Sequence, residues 1–317
     1  MSIYNKILVV ADINNDVQPQ LARAVQLAAK SRSRSSITFF LSIYDFSYEM
    51  TSMLSMEERD AMRRGVIQQR EEWMKKVAAP YLNGVDDFDF HVSVVWHNRP
   101  YEAIIAEVFS HQHDILIKGT RKHDALESVI FTPTDWHLLR KCPCPVLLVK
   151  HEHWPDNANV LASVHVGSES EAHHELNDRM VEQLKNIAER FEATPYLVNA
   201  YPVTPANITI ELPEFDPTTY SDAVRGHHLT AMKALRQKHG LPEEQTLVEQ
   251  GLPEDVIPKA TEKLSAAMVI LGTTGRTGLS AVFIGNTAEQ VIDKINCDVL
   301  ALKPAGYISP LDPNEAA

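Results

Sequence analysis

The feature that most constrains this chain is its similarity to itself at one fixed offset. Shifted by 153 residues, KILVVADIN (6–14) lies over NVLASVHVG (159–167), and CPVLLVK (144–150) lies over CDVLALK (297–303). The same shift lays RPYEAIIAEVFSHQHDILIKGT (99–120) over LPEDVIPKATEKLSAAMVILGT (252–273), so that Pro100 meets Pro253, Ile104 meets Ile257 and Gly119 meets Gly272. Three separated blocks in one register imply an internal duplication. The 317 residues divide into two copies of ordinary domain size. The expected domains are 1–152 and 153–317, joined near HEHWPDNAN (151–159). The stretches 42–90 and 199–245 do not hold the register.

Each copy alternates short apolar runs with helical periodicity. Ile7–Val10 is a continuous apolar run, and Leu21, Ala24, Val25 and Ala28 follow at helical spacing. ITFFLSIY and HVSVVW read as strands on either side of a helix over 57–79. A helix from Tyr101, the strand Ile115–Ile117, a loop, a helix from Pro133 and the strand Val146–Val149 complete the first copy. Strands separated by helices imply a parallel sheet covered on both faces. The expected fold is therefore α/β, as two tandem five-stranded, Rossmann-like domains.

Composition excludes several classes. Acidic residues outnumber basic ones and the formal net charge is −12. Residues 1–150 carry equal numbers of each, so the second copy holds the whole deficit. A dedicated duplex-DNA binder needs a basic footprint to replace phosphate counterions, and direct duplex binding is not expected. No apolar run approaches the roughly 20 residues of a membrane span, and the start does not read as a signal peptide. Three cysteines cannot build a disulfide framework, which points to the cytoplasm.

The stretch MVILGTTGRTGLSAVFIGNTAEQVIDKINCDVLALK (268–303) carries the strongest chemical signal. A buried strand runs into a loop holding Gly272, Thr273, Gly275, Gly278 and Gly285, and Asn286 and Thr287 open a helix. Glycines let backbone approach an anion, and a helix N-terminus offers unpaired N–H groups and a positive dipole end. This makes a phosphate cradle. The same residues also admit a purely local reading, with Asn286 or Thr287 as an N-cap and Glu289 or Gln290 closing a capping box.

At these residues the sequence resembles the universal stress protein family. Its nucleotide-binding members carry Gly, two residues, Gly, nine residues, Gly, then Ser or Thr. Gly272, Gly275 and Gly285 fit that spacing; Asn286 replaces the hydroxyl residue, and Thr287 follows it. The resemblance covers roughly 5–150 and 158–303. It implies ATP or a related adenine nucleotide as ligand, with Val164, His165 and Val166 near the base or ribose. It also implies accumulation under starvation, oxidative or DNA-damaging stress. Family members dimerise through their last strands, so the resemblance implies an intramolecular pseudo-dimer here, with a homodimer of whole chains possible.

By register the first copy is degenerate. Lys122, Thr132 and Pro133 stand for Gly275, Gly285 and Asn286, and Asp135 supplies its own negative charge to the helix after a Thr132 N-cap. The family's nucleoside-contacting acid matches Asp12; its counterpart in the second copy is His165.

The remaining candidates read as structural. The histidine pairs 111/113, 151/153, 173/174 and 227/228 are scattered and read as solvated, so no metal site is expected. Cys142 and Cys144 alternate with prolines before a strand and read as buried. Met50, Met53, Met56 and Met62, with Phe46 and Leu54, read either as packing over their own sheet or as lining an apolar-ligand pocket or the interface between the halves. Residues 201–224 read as an extended excursion. No nucleophile elbow, metal cluster or Walker-type lysine appears, so no catalytic residue is expected. Two alternatives to the nucleotide-binding module stay open: a binder of an apolar metabolite or protein scaffold, and a slow ATP hydrolase.

Overall fold

The computed structural model describes residues 4–31, 33–48, 50, 55–85, 87–123, 126–150, 154–155, 157–203, 216–273 and 286–314. The chain divides into two units, Met1–His153 with Ile308–Ala317, and Trp154–Tyr307. The last ten residues belong with the first unit rather than with the second domain expected over 153–317. Lys141 ends a helix, where carbonyls lack intrahelical partners, and its carbonyl accepts a bond from Ser309 Oγ at 2.6 Å.

The first unit runs β1 (Lys6–Val10), α1 (Pro19–Ala29), β2 (Ser35–Ile43), α2 (Met56–Leu82), β3 (Phe88–Trp96), α3 (Pro100–His111) and β4 (Ile115–Gly119). There follow the hairpin β5 (Arg121–His123) and β6 (Leu126–Ile130), then α4 (Pro133–Lys141) and β7 (Val146–Val149). The second runs β8 (Asn159–Ser163), α5 (Glu171–Phe191), β9 (Thr194–Tyr201), α6 (Pro217–His239), β10 (Thr246–Gln250), α7 (Pro253–Lys263), β11 (Ala266–Gly272), α8 (Asn286–Lys294) and β12 (Asp298–Leu302).

Within the first unit the sheet order is β7-β4-β1-β2-β3, and within the second it is β10-β9-β8-β11-β12. Counting the five sheet strands of each unit in chain order, both read 3-2-1-4-5, and all their pairings are parallel. Central strands flanked on both edges must be apolar on both faces. Ile7, Leu8 and Val9 of β1 are fully buried, as are Val160, Leu161 and Ala162 of β8. Each such large aliphatic side chain contributes about 1.5–3 kcal/mol by burial.

Three local expectations change. The loop after Ile117 contains the antiparallel pair β5–β6. The supposed excursion over 201–224 is helical from Pro217, because Asp216 caps the helix by accepting from Thr218 N at 3.0 Å, and proline suits the first helical position. The Met-rich segment does not pack over its sheet: Phe46, Met50 and Met56 are 60%, 66% and 75% exposed. Its Ser55–Glu58 capping box starts α2, which buries nothing before Met74. Met53 and Leu54 lie outside the described residues.

Candidate functional site

The first and fourth strands of each unit are neighbours, yet their helices leave in opposite directions across the sheet. That switch point opens a crevice at the strands' carboxyl ends, where α/β folds bind ligands. Each unit has a cavity there, of about 360 Å³ in the first and about 290 Å³ in the second. The linings match in the repeat register: Val10 with Ser163, Asp12 with His165, Pro100 with Pro253, Ile104 with Ile257, Lys118 with Leu271, and Gly119 with Gly272.

The second cavity has an apolar floor. Leu176 and Met180 from α5, Ile257 from α7, Leu271 at the end of β11, and Ala288 and Val291 from the first turns of α8 line it. Its polar rim is His165, His173 and Asn177. Asn177 fixes the backbone there, accepting from His165 N and donating to His165 O, both at 3.0 Å. Asn199 accepts from Val166 N at 3.3 Å and lies 3.0 Å from His228 Nδ1. The His165 and His173 rings meet edge to face, 5.5 Å apart. Desolvation, then the neighbouring His173, holds the His165 imidazole below its ordinary value. Burial, with His227 and His165 nearby, does the same for His228.

Of the sequence-predicted site residues, Val164, His165 and Gly272 line this cavity. Val166 is buried and lines a neighbouring depression with Glu171 and Asp178. Thr273 is buried and committed to the sheet: its N–H and hydroxyl both donate to Leu302 O, at 2.8 and 3.0 Å. Thr120 repeats this on Val149 O, at 3.0 and 3.2 Å. The Gly-Thr pair therefore closes the fourth and fifth strands in both copies. Gly272 also has a packing cause, since a Cβ there would lie 2.6 Å from Leu176 Cδ2. A Cβ on Gly119 would lie 2.7 Å from Gln20 Oε1. Gly275 and Gly285 lie outside the described residues, as do the side chains of Asn286, Thr287 and Lys122.

The first cavity is charged instead. Lys118 Nζ lies 2.6 Å from Asp135 Oδ1, and Asp135 is fully buried. Asp135 also closes a capping box, accepting from Thr132 N at 2.7 Å while Thr132 Oγ1 accepts from Asp135 N at 3.3 Å. Asp12 accepts from Asn14 N at 3.1 Å and from Asn15 Nδ2 at 2.6 Å, so its own loop holds the carboxylate. The Thr132 cap follows from the local sequence; the Lys118 partner of Asp135 does not. The signal was in the register: 118 and 135 carry opposite charges where 271 and 288 carry Leu and Ala.

The cysteines are buried as expected, with the Cys142 and Cys144 Sγ atoms 3.5 Å apart. The Cys142 thiol and burial hold the Cys144 thiol well above its ordinary value. Among the described residues no helix is long and apolar enough to cross a membrane.

Two parallel-sheet units of one topology, each with a cavity at its switch point, define a duplicated α/β protein. The family model described as "Universal stress protein family" matches residues 3–150 and 171–303, and the chain belongs to that stress-response family. It is similar to universal stress protein E of Escherichia coli K12, at 55% identity over 313 residues, which cover 98% of each chain. The universal stress protein E homolog of Haemophilus influenzae is 43% identical over 305 residues, 95% of this chain and 98% of that one. Among solved structures, a protein from Pseudomonas aeruginosa is similar at a TM-score of 0.70 and 28% identity, covering 95% of this chain and 93% of that chain. A universal stress protein from Archaeoglobus fulgidus shares the fold at a TM-score of 0.59 and 14% identity, over 96% and 99% of the chains.

Proposed function

We propose that the second unit binds ATP or a related adenine nucleotide, and that the chain is a cytoplasmic binding module of the stress response rather than an enzyme. The observation that carries this reading is the contrast between the two cavities. In the second, Leu271 and Ala288 leave the helix start free of the acid that occupies it in the first. Ala288 and Val291 place the start of α8 beside that cavity, and a helix N-terminus with its positive dipole end suits an anion such as a phosphate. The Gly272, Gly275 and Gly285 spacing supports the same assignment, with Asn286 and Thr287 at the helix start. The His165 imidazole, beside Val164 and with its proton affinity lowered by burial, suits hydrogen bonding or stacking with a base better than pairing with a phosphate.

Calorimetry with ATP on the intact chain tests this. Gly275→Lys gives the second unit the residue that the first has at that position. Binding is expected to weaken at least about tenfold, roughly 1.4 kcal/mol. Unchanged affinity moves the nucleotide elsewhere. If the unmodified chain binds none, the second reading gains, in which exposed Phe46, Met50 and Met56 engage an apolar metabolite or a protein partner.

A further inference from the structure

We propose that Glu107, His111 and His113 bind one divalent transition-metal ion of the zinc type, on the first unit and away from its cavity. Helix α3 presents Glu107 and His111 one turn apart on the same face. The helix then ends in Gln112, a non-glycine residue at φ 54°, whose N–H donates to Val108 O. His113 N donates to the same carbonyl at 3.1 Å. This left-handed turn folds the chain back, so that His113 returns to the face it would otherwise leave. The result is three ligand atoms within 4.8 Å of one another.

The spacing suits a small ion. Zinc bonds of about 2.0–2.1 Å in tetrahedral geometry set ligand atoms roughly 3.3–3.4 Å apart. Glu107 Oε1 lies 3.0 Å from His111 Nδ1 and 3.7 Å from His113 Nε2, which bracket that separation. Two imidazoles and one carboxylate favour zinc, cobalt or nickel over calcium or magnesium, which prefer all-oxygen shells.

A second observation is independent of the spacing. The His113 side chain is 3% exposed, and neither of its ring nitrogens has a hydrogen-bond partner. A buried polar atom without a partner is destabilising. A metal ion on Nε2 removes that deficit. The His111 side chain is 63% exposed, which leaves an approach from solvent and room for its ring to adjust.

The test is calorimetric titration of the full chain with Zn²⁺, and with Co²⁺ followed by its visible d–d absorption. The expected result is one ion per chain and a tetrahedral cobalt spectrum. His111→Ala, at an exposed position, should keep the unmodified thermal midpoint, weaken Zn²⁺ binding at least tenfold and abolish the cobalt bands; Glu107→Gln should weaken it in the same direction. His165→Ala in the second unit should change neither. The proposal is overturned if the unmodified chain binds no Zn²⁺, if His111→Ala binds as well, or if His165→Ala removes the ion.

Discussion

The two cavities occupy the same place in the same topology and differ in what fills the end of the fourth strand. In the first unit Lys118 reaches Asp135 at 2.6 Å, and the pair takes the helix start. In the second, the same register holds Leu271 and Ala288, and the helix start belongs to an open apolar cavity. The backbone framework survives both versions, down to the Thr120 and Thr273 bonds that tie strand ends together. Duplication therefore fixed the architecture and left these two side-chain positions to set whether the helix start carries a buried ion pair or small and apolar side chains.

The largest effect is expected from breaking the first unit's pair. Lys118→Leu copies the second unit at one position only and leaves Asp135 buried without its cation. Removing one partner of a buried ion pair costs about 3–5 kcal/mol, whereas replacing both with apolar groups costs far less. Lys118→Leu should lower the denaturation midpoint strongly. Lys118→Leu with Asp135→Ala should recover part of the loss, since Thr132 Oγ1 still accepts from the backbone N of residue 135 and only the carboxylate's bond to Thr132 N is lost. If the double variant is less stable than the single one, the capping box rather than the ion pair is the reason Asp135 is there.

Much of this architecture was legible in the sequence, for identifiable reasons. The duplication and the strand–helix alternation follow from local runs such as Ile7–Val10 and Val146–Val149, whose burial is continuous. Glycine spacing pointed to the crevice beyond β11, but Gly272 and Thr273 have packing and strand-closing duties of their own. Spacing reports that a small residue is needed, not which neighbour requires it. The Met-rich stretch misled because apolar composition does not say which face of a polar helix is covered. His111 and His113 read as solvated because nothing in the sequence marks where the helix ends. Gln112 ends the helical geometry, and only its backbone angle reveals the convergence.

Glycine packing gives an intermediate test. Gly272→Ala places a Cβ 2.6 Å from Leu176 Cδ2 and 3.4 Å from Met180 Sδ, both buried side chains of α5. Overpacking of this kind costs about 1–3 kcal/mol. Gly119→Ala meets the end of the Gln20 amide instead, which can rotate by breaking its 3.1 Å bond to Val10 O. Thermal unfolding should rank Gly272→Ala as the more damaging of the two, and Leu176→Ala should partly rescue it. Equal small losses would mean the α5 contact yields, leaving ligand approach as the reason for the glycine.

The smallest effect is the acid response, and it belongs to the exchange of Asp12 for His165. Folding lowers the proton affinity of both His165 and His228 through desolvation. The unfolded chain titrates near the ordinary value of about 6.5, so below that pH it binds protons the folded state refuses. Stability from these groups is therefore constant well above pH 7, falls as pH drops through about 6.5, and levels off below the lowered folded values. A fully differential proton would contribute about 1.4 kcal/mol per pH unit, which bounds each histidine from above. His165→Asn removes one such group while retaining a polar side chain at the rim. Its thermal midpoint should lose less than that of the unmodified chain between pH 7.5 and 5.5. His137, lowered by burial and by Lys141 and Arg140, contributes equally to both proteins and cancels in the difference. An identical acid slope in the two would show that the His165 ring is as well solvated in the fold as in the unfolded chain, and the second cavity would then be wetter at its rim than its apolar floor suggests.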